Sequence, residues 1–357
     1  MRLSDPLLIP FSLMYRAATD LRNHLFDLGI KKSSSFEIPL IVIGNLSVGG
    51  TGKTPMVEWL ITKLKDTYSL AMLSRGYRRK TNGFQLANAH TRVEEIGDEP
   101  FQVFQKFHPN VRVAVGEERA LAIPMILAEH PETQVILLDD AYQHRYVSGD
   151  LNILLTTFDR PFFSDHLLPL GRLRESRKGS NRANIIIVTK CPDQISAGEK
   201  QYFIREIHKY ASAGTPVFFA GVRYHAPIPL FEKGNFPSNA KKVLVLSGIA
   251  NNENLIRTVS KTHEVLENIS FADHHQYKKE DMELIQRKFR EHRMENPVLL
   301  TTEKDAVKLK QQEFLPYLKE IPIFALPIGM DFKKEDATEI LSLVQQSIRR
   351  KKYSSEV

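Results

Sequence analysis

Residues 38–65 restrict the possible folds more than any other stretch of the chain. They open on IPLIVIGN, an apolar run without polar alternation, continue through LSVGGTGKTP and end in MVEWLITKL, whose apolar positions recur at helical spacing. An unbroken apolar run predicts a strand covered on both faces, the environment of a parallel sheet. Gly49, Gly50 and Gly52, with Thr51 among them, let the backbone turn tightly and aim N–H groups at phosphate oxygens before the helix begins. In such a loop Lys53 reaches the β- and γ-phosphates and the Thr54 hydroxyl ligates Mg²⁺, so ATP and Mg²⁺ are the expected cofactors. Ser47 stands where the generic G-x-x-x-x-G-K-[ST] pattern has its first glycine. Strand, glycine turn, Lys-Thr and helix all follow in order, so we read Ser47 as a subclass variant of a nucleotide loop.

A second element is needed to hold the metal. VILLDD (residues 135–140) is a hydrophobic strand ending in two carboxylates, the form that delivers an aspartate to Mg²⁺ or its water shell. Asp139 and Asp140 are both candidates. A strand-terminal Asp also forms turns, but downstream of a phosphate loop the metal role takes precedence. Gln143 and His144 follow closely enough to share that site, although a lone histidine also serves as a hydrogen-bonded structural residue. A third buried strand, IIIVTK (residues 185–190), runs into Cys191-Pro192-Asp193, where contact with adenine or ribose is an option. Alternation of these strands with helical stretches at 55–65 and 117–129 predicts an α/β protein with a P-loop NTPase-like parallel sheet and its ligands at the carboxyl ends of the strands.

At 357 residues, 42% hydrophobic and 25% charged, the chain is too long for one ordinary core and too apolar for disorder; two domains are expected. Its one cysteine, Cys191, excludes an internal disulfide and a cysteine zinc cage and fits a reducing compartment. A net charge of +7 points to an anionic partner, a condition that nucleic acid, anionic lipid and a phosphorylated substrate all meet. The N-terminus narrows that choice. Leu7, Phe11, Met14, Ala18, Leu21, Leu25 and Leu28 recur in steps of four and three, placing them on one stripe of a helix. Arg16 and Asp20 interrupt any run long enough to span a bilayer, and no signal-peptide core precedes a small-residue cleavage site. Two readings fit: a helix packed on the domain by that stripe, or one lying in a membrane interface with basic flanks Arg2, Lys31 and Lys32.

The expected organisation is an amphipathic helix over 1–30, a P-loop core over 31–221, a linker or hairpin over 222–242 and a smaller α/β domain over 243–357. The linker is read from three prolines, a glycine and asparagines between two hydrophobic strands. The second domain is read from VLVLSG, PVLLTTEKD and a helical stretch at 279–293, and the tail after Arg349 is expected to fray.

Nine fragments, in order, carry a resemblance over nearly the whole chain: VIGNLSVGGTGKTP, LSRGYRR, GDEP, VGEERA, LLDDAYQHR, LPLGRLRE, VTKCP, LSGIAN and FADHHQY. Together the chain resembles the tetraacyldisaccharide 4'-kinases, which phosphorylate the lipid A disaccharide, and Ser47 is similar to that family's version of the loop. The resemblance implies a kinase acting on the 4'-hydroxyl of a lipid A disaccharide 1-phosphate, in lipopolysaccharide biosynthesis. It implies a peripheral protein on the cytoplasmic face of the inner membrane, with no nucleic acid and no obligate protein partner. Matched to this sequence, it implies Asp98 of GDEP as the catalytic carboxylate, with His274 of DHH paired to it across a closing cleft and Lys53 on the phosphates. It further implies Glu99, Asp139, Asp140 and Gln143, with Thr54, around Mg²⁺, and Arg75, Tyr77, Arg119, His144, Arg174 and Glu175 near the phosphates or the lipid headgroup.

Local chemistry alone allows plainer roles. GDEP is good turn chemistry, and LSRGYRRK reads equally as a solvated basic loop. Arginine forks nevertheless suit a sugar 1-phosphate as well as ATP phosphates. The competing function is a membrane-associated P-loop ATPase switch that transfers phosphate to no substrate. Many such loops carry a signature Lys before the paired glycines, a position held here by Val48.

Overall fold

The apolar run at the head of the phosphate loop forms the strand β1 (Leu40–Asn45), buried along its whole length. The computed structural model describes residues 5–231, 236–237, 240–249, 252–273 and 275–355, divided into two compact units. The first comprises residues 1–96, 103–222 and 330–357, and the second comprises residues 97–102 and 223–329.

In the first unit β1 is joined by β2 (Leu70–Ser74), β3 (Gln85–Leu86), β4 (Val111–Val115), β5 (Val135–Asp139), β6 (Leu151–Thr157), β7 (Ile185–Thr189) and β8 (Val217–Tyr224). Strand β1 lies between β5 and β6 and runs parallel to both. The pairings of β2 with β4 and β5, and of β6 to β7 to β8, are also parallel, while the short edge strand β3 pairs antiparallel with β4. A parallel sheet needs cover on both faces, which is why β1, β2, β5 and β7 read as continuous apolar runs. Helix α2 (Lys53–Leu64), entered directly from the glycine loop, buries Met56, Val57, Leu60, Ile61 and Leu64. The parallel P-loop-like sheet expected from the sequence is present.

The second unit holds β9 (Ile228–Pro229), β10 (Lys242–Ser247), β11 (Glu264–Ser270), β12 (Val298–Thr302) and β13 (Ile323–Leu326), in spatial order β11-β10-β12-β13-β9. Strand β10 shows the two-sided burial in miniature. Leu244 and Leu246 enter one core cluster with Leu299 and Ile285, while Val243 and Val245 enter another with Val298 and Leu300.

Three boundaries differ from the sequence reading. Residues 330–357 belong to the first unit, because β14 (Ile328–Phe332) joins the first sheet beside β8 and the helix Lys334–Ser355 returns with it. That helix does not fray at Arg349: Ile340, Val344 and Ile348, four apart, are fully buried, and Lys351 pairs with Asp150 at 3.0 Å. Residues 97–102 group with the second unit, although the sequence on both sides belongs to the first. In the stretch 222–242, Ile228–Pro229 pairs antiparallel with β13, while 232–235 and 238–239 lie outside the described residues.

Candidate active site

The phosphate loop is built at the carboxyl end of β1. Gly49 and Gly52 have φ of 104° and 88°, the left-handed region that a side chain disfavours. Ser47 needs no such freedom: it forms an isolated antiparallel bridge with Leu173, and the next N–H, of Val48, donates to the Arg172 carbonyl at 2.8 Å. Strand-like pairing replaces the turn that the usual first glycine makes. Thr51 is buried; its hydroxyl accepts from Asn45 Nδ2 at 2.7 Å and its carbonyl accepts from Thr189 Oγ1 at 2.8 Å. Gly50 faces Lys190, Lys53 opens α2, and Thr54 is the second residue of that helix.

Strand β5 delivers the two carboxylates. Asp139, buried, accepts from Ser74 Oγ at 3.2 Å. Asp140 follows with φ of 47°, a left-handed conformation that Asp tolerates better than most residues and that turns its side chain out of the strand's alternation. Its carboxylate lies 3.7 Å from Lys53 Nζ and accepts both guanidinium nitrogens of Arg174, at 2.7 and 3.3 Å. Burial alone would raise the Asp140 pKa, but Lys53 and Arg174 outweigh it and hold the group below its ordinary value. Arg174 also donates to the Asn45 carbonyl at 3.2 Å and to Asn45 Oδ1, locking the end of β1 to the end of β5.

Gln143 points its amide nitrogen inward, to the Asn45 carbonyl at 2.7 Å and Glu175 Oε1 at 2.8 Å; among the described residues its buried Oε1 has no partner. Glu175, 3% exposed, also accepts from Arg182 at 2.9 Å and from Asn23 at 2.9 Å. Burial would depress the Arg182 pKa, yet Glu175 more than offsets it and the group stands above its ordinary value.

Around these carboxylates is an arginine-rich wall. Arg119 is 3% exposed and its pKa is lowered to about 10, first by burial, with Asp139 opposing and Arg75 adding to the shift. His144 is brought down to about 4 by burial and by Arg119, Arg22 and Arg75, so it is neutral at pH 7. Its Nε2 is buried and has no partner among the described residues. Arg75 is exposed just after β2; Tyr77, exposed on the same loop, lies under the Arg78 guanidinium at 5.5 Å.

The second unit has its own cluster. Asp98 and Glu99 open the helix Asp98–Phe107, where carboxylates are favoured by the helix dipole. Asp98 Oδ2 lies 2.9 Å from Lys308 Nζ, and Glu99 Oε1 lies 3.2 Å from Lys304 Nζ. Lys304 also reaches Asp273 at 3.3 Å, and Lys308 donates to the His275 carbonyl at 3.1 Å. His275 itself is taken by Asp281, at 2.8 Å. His274 lies outside the described residues.

The chain matches the family model described as LpxK, tetraacyldisaccharide-1-P 4'-kinase, over residues 4–346. It is 40% identical to a tetraacyldisaccharide 4'-kinase of Phocaeicola vulgatus over 355 residues, covering 98% of this chain and 96% of that protein. It is 44% identical to one of Flavobacterium johnsoniae over 327 residues, 90% of this chain and 93% of that protein. The chain belongs to the tetraacyldisaccharide-1-P 4'-kinase family. A crystal structure of the "apo" form of LpxK from Aquifex aeolicus in complex with ATP superposes with a TM-score of 0.74 at 30% identity, covering 97% of this chain and 99% of that one.

Within this kinase fold, the residues named from sequence separate into two groups. Gly49 to Thr54, Asp139, Asp140, Gln143, His144, Arg75, Arg119, Arg174 and Glu175 belong to the first unit, and Asp98 and Glu99 to the second. The expectation that Asp98 belongs to the first domain is therefore corrected: the six-residue segment 97–102 groups with residues 223–329. Sequence reasoning passed over Asn45, Arg22, Lys304 and Lys308. The i, i+4 lysines of TTEKDAVKL were visible, but their carboxylate partners two hundred positions upstream were not.

Proposed function

We propose that this protein transfers the γ-phosphoryl group of ATP to the 4'-hydroxyl of a tetraacyl disaccharide 1-phosphate, the precursor of lipid A. The observation that carries the reading is the Lys53–Asp140–Arg174 arrangement at the mouth of a glycine loop, in a chain that matches the kinase family almost end to end. In the transfer, the acceptor oxygen forms a bond to the γ-phosphorus while the bond to the β,γ-bridging oxygen breaks, ADP departs, and the hydroxyl proton passes to a carboxylate. Lys53 and the loop N–H groups stabilise the charge on the transferring group. Asp98 orients the hydroxyl and accepts its proton, with His274 supporting it as the family resemblance implies. Arg75, Arg119, neutral His144 and Tyr77 form the wall that receives the anionic headgroup, and Arg174 with Glu175 keeps the carboxylates aimed.

Thr54, Asp139, Asp140 and the unpartnered Oε1 of Gln143 make an all-oxygen donor set that fits Mg²⁺, which keeps several waters and is bound through one or two carboxylates and the substrate phosphates. When bound, the ion neutralises charge on the β- and γ-phosphates. Glu99, which the resemblance also implies for the Mg²⁺ shell, is paired with Lys304 at 3.2 Å in the second unit.

Helix α1 (Asp5–Asp27) supports action at a membrane surface, which the family resemblance implies is the cytoplasmic face of the inner membrane. Its polar side faces the protein: Ser12, Tyr15, Arg22 and Asn23 bond Leu167 O, Arg174 O, Gln143 O and Glu175 at 2.9–3.1 Å. The apolar side faces outward, with Leu7, Phe11, Met14 and Leu21 each at least 60% exposed. Of the two readings of the stripe, this inverted amphipathicity favours a helix lying in an interface. Among the described residues no helix is long and apolar enough to cross a membrane.

The test is incubation with γ-labelled ATP and a tetraacyl disaccharide 1-phosphate in mixed micelles. Label on the lipid is expected, and none on a disaccharide whose 4'-position is blocked. Label appearing only as inorganic phosphate would overturn the reading and return the protein to the ATPase-switch class.

A further inference from the structure

Lys308 is 2% exposed, and a lysine is almost never so buried unless its charge is paired. Its ammonium lies 2.9 Å from Asp98 Oδ2 and 3.1 Å from the backbone carbonyl of His275. An ammonium has three donors, and two of them here reach separate segments: the helix start that carries Asp98, and the backbone carbonyl of His275. From this geometry we infer that Lys308 is a positioning residue for the Asp98 carboxylate in phosphoryl transfer, an inference that rests on the acceptor role proposed above for Asp98.

The lysine is held on a rigid support. Its helix, Glu303–Leu309, is capped by Thr302, whose hydroxyl accepts from the Asp305 N–H at 3.0 Å. Asp305 is fully buried and accepts from the Gly248 N–H at 2.9 Å and the Tyr277 hydroxyl at 3.1 Å, which ties the helix to the segment after β10 and to the far side of the 271–277 loop. Lys308, one turn on, thus approaches Asp98 from a fixed direction. One turn back, Lys304 makes the parallel link from Glu99 to Asp273 with a more exposed side chain.

Stability gives a poor reason for such a pair. Removing two charges from water costs about as much as their attraction returns, and apolar side chains of the same volume often do as well. What the pair supplies is direction. With Oδ2 engaged by a buried ammonium, the plane of the carboxylate is set before an acceptor arrives, so its orientation is not paid for during the reaction. In the step as proposed Lys308 takes no proton and acts through Asp98.

The test is a double-mutant cycle on the full-length protein, assayed with ATP and the tetraacyl disaccharide 1-phosphate, with folding checked by circular dichroism and thermal midpoint. Lys308→Met is expected to lower kcat on the order of tenfold to a hundredfold, with each KM within about threefold of wild type, the pattern of lost transition-state positioning. In an Asp98→Asn background the same change should lower kcat by less than about twofold, because residues acting as a unit are not additive. Should Lys308→Met fold poorly, Lys308→Gln, which keeps a donor without the charge, carries the same cycle. Losses that multiply in the double variant, or a folded Lys308 variant with wild-type kcat, would overturn the inference. Wild-type activity in Asp98→Asn alone would instead refute the role of Asp98, a separate and distinguishable failure.

Discussion

In the first unit the phosphate cradle is made by six consecutive residues, 49–54, between one strand and one helix, whereas the second unit's cluster draws Asp98, Asp273, His275, Lys304 and Lys308 from three separate segments. Each sets a lysine against a carboxylate, Lys53 facing Asp140 at 3.7 Å in the first and Lys308 facing Asp98 at 2.9 Å in the second. They differ in what holds them. Glycine torsions, a strand end and the first turn of α2 shape the cradle locally, so its residue types alone announce it. The Asp98 cluster has no local geometry of its own; it exists only where tertiary packing brings a helix start against a helix that carries lysines at i and i+4. A site of the first kind should tolerate substitutions in its side chains without losing shape, and one of the second kind should not.

The largest effect that separates these cases is expected from Lys53→Ala. It removes the cation facing Asp140 but none of the backbone that shapes the loop. Turnover should fall on the order of a thousandfold, about 4 kcal/mol in the barrier, while ATP binding measured by equilibrium dialysis persists. Collapse of the fold in this variant would show that the cradle is less self-sufficient than its sequence suggests.

Next in size is Glu175→Gln, which probes a part of the first unit that is assembled at long range. Glu175 receives Asn23, Gln143 and Arg182, from three other segments, and the neutral amide leaves Arg182 without its counter-charge. A loss of about 3 kcal/mol in chemical denaturation is expected, with Gln143 displaced and kcat lowered as well. Near-wild-type stability would place Glu175 with the locally built group and sharpen the contrast with the Asp98 cluster.

The smallest effect concerns α1. Phe11→Ser combined with Met14→Ser removes exposed apolar surface that makes no contribution to either site. Partitioning onto anionic vesicles in flotation assays should weaken tenfold or more, since a buried Phe or Met side chain contributes roughly 1.5–3 kcal/mol. The thermal midpoint should hold, because surface changes of this sort stay within about 0.5 kcal/mol. Unchanged flotation would return the helix to a purely structural part.

Much of the first unit was legible in the chain itself. The apolar runs that became β1, β5 and β7 read as buried strands because a parallel sheet covered on both faces leaves no polar alternation, and the glycine loop declared itself through residues that turn the backbone. Even the Ser47 departure was recognisable as a variant, though its reason, a bridge to Leu173, was not. The outward turn of the α1 stripe was undecidable from periodicity, which shows that a helix has two faces but not which one meets the protein. Tertiary structure alone decided that residues 97–102 join the second unit, that the C-terminal helix returns to the first, and that Lys308 is buried against Asp98. The physical reason is common to all three: helical and strand periods are set by neighbours a few residues away, whereas a buried ion pair is set by which distant surfaces pack, and no local pattern encodes the partner of a buried charge.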